Sequence, residues 1–384
     1  MLYQPTSIPL SLYIHMPWCV RKCPYCDFNS HELAAGQLDA VLEQQYLQAL
    51  VADIQTQQDF VQGRAIQSIF IGGGTPSLIS AQGYQWLFAQ LKQQLDFSTE
   101  CEVTMEANPG TIEHAPFEQY LAAGINRLSI GVQSFSMAHL QALGRIHDPE
   151  QAKLAIKQAA LAGFERINVD LMHGLPQQSV AQALADLQIA IDCGATHISW
   201  YQLTIEPNTV FYRSQPALPD EDILAQIQEQ GEALLRAHGY INYEVSAWTK
   251  EQASRHNLNY WQFGDYLAIG AGAHGKVSLR EEVYRFHKTR LPKDYLAKTP
   301  ADNLQFKAIS PEELPFEFMM NALRLVEGVP QSYYAARTGQ ELTTLLAQLD
   351  KLKQKKLLQE SDTHIACTAQ GLRYLNTVLA EFLD

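Results

Sequence analysis

Six short apolar runs recur along the first 205 residues, at 12–15, 68–71, 102–106, 127–131, 167–171 and 198–203. They are rich in Ile, Val, Phe and Tyr, and most read as buried on both faces, as parallel strands do. Between them lie amphipathic helical stretches at 38–57, 81–94, 116–123, 149–162 and 180–193. Three of these run into a glycine shortly before the next strand (Gly124, Gly163, Gly194). That is a helix C-terminal signal, because glycine takes the left-handed conformation without a Cβ clash. Strands repeated through helical crossovers run parallel, with right-handed connections. The expected fold is α/β, a partial (β/α)6 TIM-type barrel, with an open doubly wound sheet as the alternative. In a barrel the ligands gather at the C-terminal ends of the strands.

The pattern loosens over residues 206–309, where a helix at 221–238 leads to apolar segments at 241–247 and 268–274; this stretch reads as a barrel extension. From residue 310 short helices with polar faces appear, at 314–325 and 342–353. A hairpin-like pair, 357–360 with 364–368, precedes a final helix. The expected organisation is a core over 1–205, an extension over 206–309 and a small, mainly helical, winged-helix-like domain over 310–384. The formal net charge is −13. The one dense basic patch, Lys351-Leu352-Lys353-Gln354-Lys355-Lys356, reads as a solvated helix face, so a nucleic-acid partner is not expected. No charged leader precedes an apolar segment, and no apolar run reaches the ~20 residues that span a bilayer. A cytoplasmic protein without stable membrane insertion is expected.

Three of the six cysteines fall within eight residues, in Tyr13-Ile14-His15-Met16-Pro17-Trp18-Cys19-Val20-Arg21-Lys22-Cys23-Pro24-Tyr25-Cys26-Asp27-Phe28. In a reducing compartment such a cluster points to metal or redox chemistry, whereas the scattered Cys101, Cys193 and Cys367 read as small buried hydrophobes. The segment follows the first strand, so its thiols project from one loop at the barrel mouth. Thiolates suit zinc or iron–sulfur clusters. Three thiolates on a four-iron cubane leave one iron open for a chelating cofactor. The zinc alternative needs a fourth ligand, His15 or His31, because no second cysteine pair exists.

A second loop, Gly72-Gly73-Gly74-Thr75-Pro76, follows the second strand and lets the backbone approach a ligand closely. It is not a phosphate-binding P-loop, since no Gly-Lys-Ser/Thr follows. Glu106, Gln133 and Asp170 stand at the ends of later strands, where a buried carboxylate requires a partner. Gly270-Ala271-Gly272-Ala273-His274-Gly275 fits a dinucleotide pattern in letters only: a strand follows it, not a helix, so it reads as a tight turn.

The C-x3-C-x2-C spacing with an aromatic residue before the last cysteine resembles the radical S-adenosylmethionine (SAM) superfamily signature. The resemblance extends over nearly the whole chain and is greatest to the branch of oxygen-independent coproporphyrinogen III oxidase and the haem chaperones of the HemW type. It implies a [4Fe–4S] cluster on Cys19, Cys23 and Cys26, and SAM bound by Tyr13, Gly73, Gly74, Thr75, Glu106, Gln133, Arg145 and Asp170. Where radical chemistry occurs, SAM is cleaved reductively to methionine and a 5′-deoxyadenosyl radical. The oxidase pattern places a fourth cysteine two positions beyond Cys26; here Phe28 stands there, as in the chaperone pattern. That pattern also carries H-N-x-x-Y-W, complete here as His256-Asn257-Leu258-Asn259-Tyr260-Trp261. A neutral imidazole beside aromatic rings suits haem, which makes His256 the expected ligand. The expectation is a haem chaperone serving an acceptor protein the sequence does not name, with no catalytic residue assigned. The alternative is oxidative decarboxylation of coproporphyrinogen III.

Overall fold

The computed structural model describes residues 3–33, 36–110, 116–280 and 282–383. The six expected strands are present as β1 (Leu10–Met16), β2 (Ile66–Gly73), β3 (Phe97–Ala107), β4 (Arg127–Gln133), β5 (Arg166–His173) and β6 (His197–Gln202). They lie side by side in chain order, each parallel to the next. A doubly wound sheet reverses its order part-way, so this single winding is the barrel's. The intervening helices span Ala40–Gln55, Ala81–Leu91, Phe117–Ala123, Pro149–Leu161 and Val180–Asp192. Asp39, Ser80, Asp148 and Ser179 cap four of them by accepting backbone N–H bonds.

One strand face is apolar, as expected: Leu12, Ile14, Ile69, Ile71, Met105, Leu128, Ile130 and Val169 are buried with the helices in the main core. The other face departs from the continuous apolar reading. Ser11 Oγ lies 2.8 Å from Ser68 Oγ. Asn168 donates to Ser129 at 2.7 Å and accepts from Ser199 at 3.0 Å. The barrel interior is therefore lined by small polar groups that satisfy one another, which is the condition for burying them.

Six further strands widen the sheet at both edges: β7 (Ile241–Glu244), β8 (Ala247–Thr249), β9 (Asp265–Ile269), β10 (His274–Leu279), β11 (Glu282–Lys288) and β12 (Leu304–Ala308). The order is β12-β11-β10-β9-β1-β2-β3-β4-β5-β6-β8-β7. β9 runs parallel to β1, and β8 antiparallel to β6. The apolar segment expected at 268–274 is divided by a turn at Gly270 and Gly272, whose φ values of 103° and 81° favour glycine.

Buried charges fasten this extension. Asp265 accepts from Arg64 at 2.7 Å, Lys276 at 2.9 Å, and both the Ser278 hydroxyl and N–H. Asp53 joins Lys288, Tyr295 and the Gly270 N–H. The C-terminal segment has its own core, including Phe318, Met319, Tyr334, Leu352 and Val378, which also takes in Phe263 and Val283 from the extension. Its hairpin-like end closes through Gln359 to Ala366 and Thr368 to Leu357 backbone bonds. His364–Ile365 also pairs with Val329–Pro330. Among the described residues no helix is long and apolar enough to cross a membrane.

Replacing Asp265 with Ala leaves two buried cations unpaired. Urea denaturation should then show a loss of about 3–5 kcal/mol; a loss below ~1 kcal/mol, the scale of an exposed pair, would show that the cluster does not fasten the sheet.

Candidate cofactor site

The parallel winding brings the loops after β1 to β6 to one end of the barrel, around a cavity of about 430 Å³. Cys19, Cys23 and Cys26 line it, with Gly73, Gly74, Thr75, Glu106, Gln133, Arg145 and Asp170. Ten of the expected cluster and SAM residues thus line one cavity. The eleventh, Tyr13, is not among the lining residues. Its hydroxyl bonds His15 Nδ1 at 2.8 Å, and its ring stacks on Phe70.

The cysteine loop is anchored to the glycine loop. Gly74 N–H donates to Met16 O and Thr75 N–H to Trp18 O, both at 2.7 Å. Gly73 N–H donates to Glu106 Oε2 at 3.1 Å. These three N–H groups are therefore committed within the protein. A ligand amino group, being a donor, is matched instead by carbonyl oxygens and the Glu106 carboxyl. The glycines are also demanded by space: a Cβ on Gly74 would stand 2.8 Å from Met16 O and closer still to Trp18 O. Gly73, with φ 111°, would drive a Cβ into the His15 ring.

Glu106 and Asp170 face the same interior. Burial raises Glu106 to about 8, with Asp170 adding to the shift and the Gly73 N–H opposing it. Asp170 is also raised, chiefly by burial, although Ser129 and Asn168 donate to it at 2.9 and 2.8 Å. Arg145 donates to Asn108 Oδ1 at 2.5 Å and Gly131 O at 2.6 Å, with Nη1 3.6 Å from Cys23 Sγ. Its Nε is buried without a partner, and among the described residues it forms no ion pair with a carboxylate. A guanidinium so placed suits an anionic group in the cavity.

Burial pushes the Cys19 and Cys26 thiols up, an unfavourable setting for a thiolate until a metal binds it. Among the described residues no three His, Cys, Asp or Glu side chains are grouped to hold one metal ion. A single zinc draws its sulfurs to ~2.3 Å, whereas a cubane distributes them over several irons, so three separated thiols suit the larger group. His15 is no fourth ligand: its Nε2 bonds Asn29 O at 2.9 Å and its Nδ1 bonds Tyr13. Phe28 also lines the cavity and is 60% exposed.

Residues 13–188 match the Radical SAM superfamily, and residues 309–374 match the HemN C-terminal domain. The chain is 48% identical to "Heme chaperone HemW" of Haemophilus influenzae, over 99% of both chains. It belongs to the HemW family of radical SAM proteins. The Escherichia coli protein of the same name is 47% identical, over 98% of both chains. Coproporphyrinogen III oxidase (HemN) from Escherichia coli, a radical SAM enzyme, superposes with a TM-score of 0.81 at 21% identity, over 98% of this chain and 90% of that one. That likeness establishes the fold. Membership of the superfamily implies SAM and a [4Fe–4S] cluster.

The cavity includes residues that sequence reasoning missed, among them Asn108, Ser129, Met172 and Tyr201. Strand parity carried the signal: Asn108 lies two positions beyond Glu106, and Met172 two beyond Asp170. His256 is placed elsewhere. It lies in the helix Arg255–Trp261, is 2% exposed, and stacks on Phe70 at 4.3 Å and against Tyr260 at 4.2 Å. Burial lowers it to about 3, so the imidazole is neutral, and its Nδ1 has no partner. Glu102 holds the helix start by accepting from the Arg255 and His256 N–H groups and from Ser254.

Gly74→Ala should separate the two loops and give a protein with markedly less iron and sulfide after anaerobic reconstitution. Gly110→Ala, whose Cβ has nothing nearer than 3.5 Å, should load normally; equal loading of both variants would count against the anchor. Glu106 supplies a second test. With its folded value above its ordinary one, the native state holds the extra proton between 4.5 and about 8, so stability falls as pH rises through that window. In SAM-free protein, Glu106→Gln should therefore gain stability over wild type as pH rises from the lower to the upper limit. Parallel denaturation curves at both ends would show that Glu106 titrates normally.

Proposed function

We propose that the protein binds haem and passes it to an acceptor protein while carrying a SAM-liganded [4Fe–4S] cluster. The observation that carries the reading is identity of 48% and 47%, over nearly complete chains, to two proteins named as haem chaperones. The cavity supports it at residue level. Cys19, Cys23 and Cys26 would hold the cluster. Gly73, Gly74, Thr75, Glu106, Gln133, Arg145 and Asp170 would surround SAM, with Tyr13 acting from behind through His15. When bound, the pair supplies one-electron chemistry, while the protein orients SAM and limits water. No residue is assigned to decarboxylation. Phe28 occupies the position of the oxidase's fourth sulfur, so no thiol stands there, and its exposed ring offers flat apolar surface at the cavity mouth instead. His256 would reach haem iron only if the helix Arg255–Trp261 left Phe70 and Glu102. The setting would be cytoplasmic, where thiols stay reduced.

Anaerobic reconstituted protein, titrated with haem with and without SAM, should give a saturable Soret change. Given coproporphyrinogen III, SAM and a reductant, it should release no protoporphyrinogen. Protoporphyrinogen formation would reverse the assignment in favour of the decarboxylase.

A further inference from the structure

His274 of β10 stands opposite His287 of β11 in the antiparallel register. The two rings stack with centroids 5.4 Å apart and planes at 21°. His274 is exposed and His287 half-buried. Among the described residues neither ring makes a hydrogen bond, which sets the pair apart from His15, whose two nitrogens are both engaged. Strand parity puts His274 on the face of Lys276, which pairs with Tyr266 of β9; Tyr266 in turn lies beside Ser11 of β1. The pair therefore continues the barrel's polar inner face outward along the extension.

Its surroundings select among ligands. Burial lowers His274, and His287, Arg290 and Arg285 act in the same direction, so the ring offers a neutral lone pair in a cationic field. Arg285 is engaged by Tyr266 and by Glu317 at 2.6 Å. Arg290 is exposed and, among the described residues, forms no ion pair. A bare divalent cation is opposed by these arginines, whereas an iron porphyrin brings carboxylates to them and a flat apolar face. Apolar surface is at hand. Asn29 donates to Ala271 O at 3.0 Å and Arg290 O at 2.8 Å, drawing together three segments that carry His274, Phe28 at 60% exposure and Leu291 at 44%. His256, at 2% exposure, has no comparable opening.

We infer that His274 would ligate haem iron in this conformation, with His287 positioning its ring and Arg290 available to a propionate. The inference rests on the haem-binding reading above and names its site. The test is spectrophotometric haem titration of full-length, cluster-loaded protein. His274→Gly should lower affinity about ten- to hundredfold, the scale of lost metal support, and remove the histidine-ligated Soret band. Added imidazole should restore that band. His287→Ala should shift the band, Arg290→Ala should weaken binding without shifting it, and His256→Ala should retain it. If His274→Gly binds as wild type does, if imidazole fails to restore the band in a variant with full cluster, or if only His256→Ala loses it, the ligand assignment is overturned while haem binding stands. Wild-type protein that binds no haem would overturn the chaperone reading and this site with it.

Discussion

Parallel pairing in strict chain order governs this molecule. Every strand from β1 to β6 delivers its last residues to the same end, so polar groups far apart in sequence converge without any one of them selecting the fold. Hydrogen bonding then narrows the arrangement. The N–H groups of Gly74 and Thr75 lock the loop after β2 onto the carbonyls of Met16 and Trp18, immediately before the first cysteine. Together with the Asn29 bonds to Ala271 O and Arg290 O, that lock holds the cysteine segment at both ends, so a metal cluster would not have to bear the whole cost of ordering it.

Burial of charge plays the complementary part. Asp53, Glu102 and Asp265 each gather several donors in the interior, and each joins segments distant in sequence. Such clusters add little net stability over apolar packing, because removing charges from water costs nearly what their pairing returns. Their effect is positional. Each admits one arrangement of its donors, and so fixes how the extension lies on the barrel and how the helix Arg255–Trp261 enters it.

Much of this was legible in the letters. Periodicity located all six core strands and the helices between them, because segments buried against helices must be apolar on that side. The cysteine spacing, the glycine loop and the strand-end residues, with the family resemblance, named ten of the residues that line the cavity. Legibility failed where tertiary partners decide. Nothing local distinguishes Gly74 offering its N–H to a ligand from Gly74 giving it to Met16. Tyr13 has the right strand and the right neighbours, yet His15 takes its hydroxyl. The histidine of the H-N-x-x-Y-W motif reads as a haem ligand in sequence, and only the fold sets Phe70 against it. Both strand faces are largely buried, as expected, but the apolar reading overlooked that Ser11, Ser129, Asn168 and Ser199 make the inner face polar, because small polar residues interrupt a run too briefly to alter its average.

The lock between the first two loops has a further consequence. The glycine turn and the cysteine segment are held by shared backbone bonds, and residues of both border the cavity. The link is direct, backbone to backbone, with no side chain between them. A substitution that displaces the glycine turn would therefore also displace the segment that leads into the first cysteine, and the reverse.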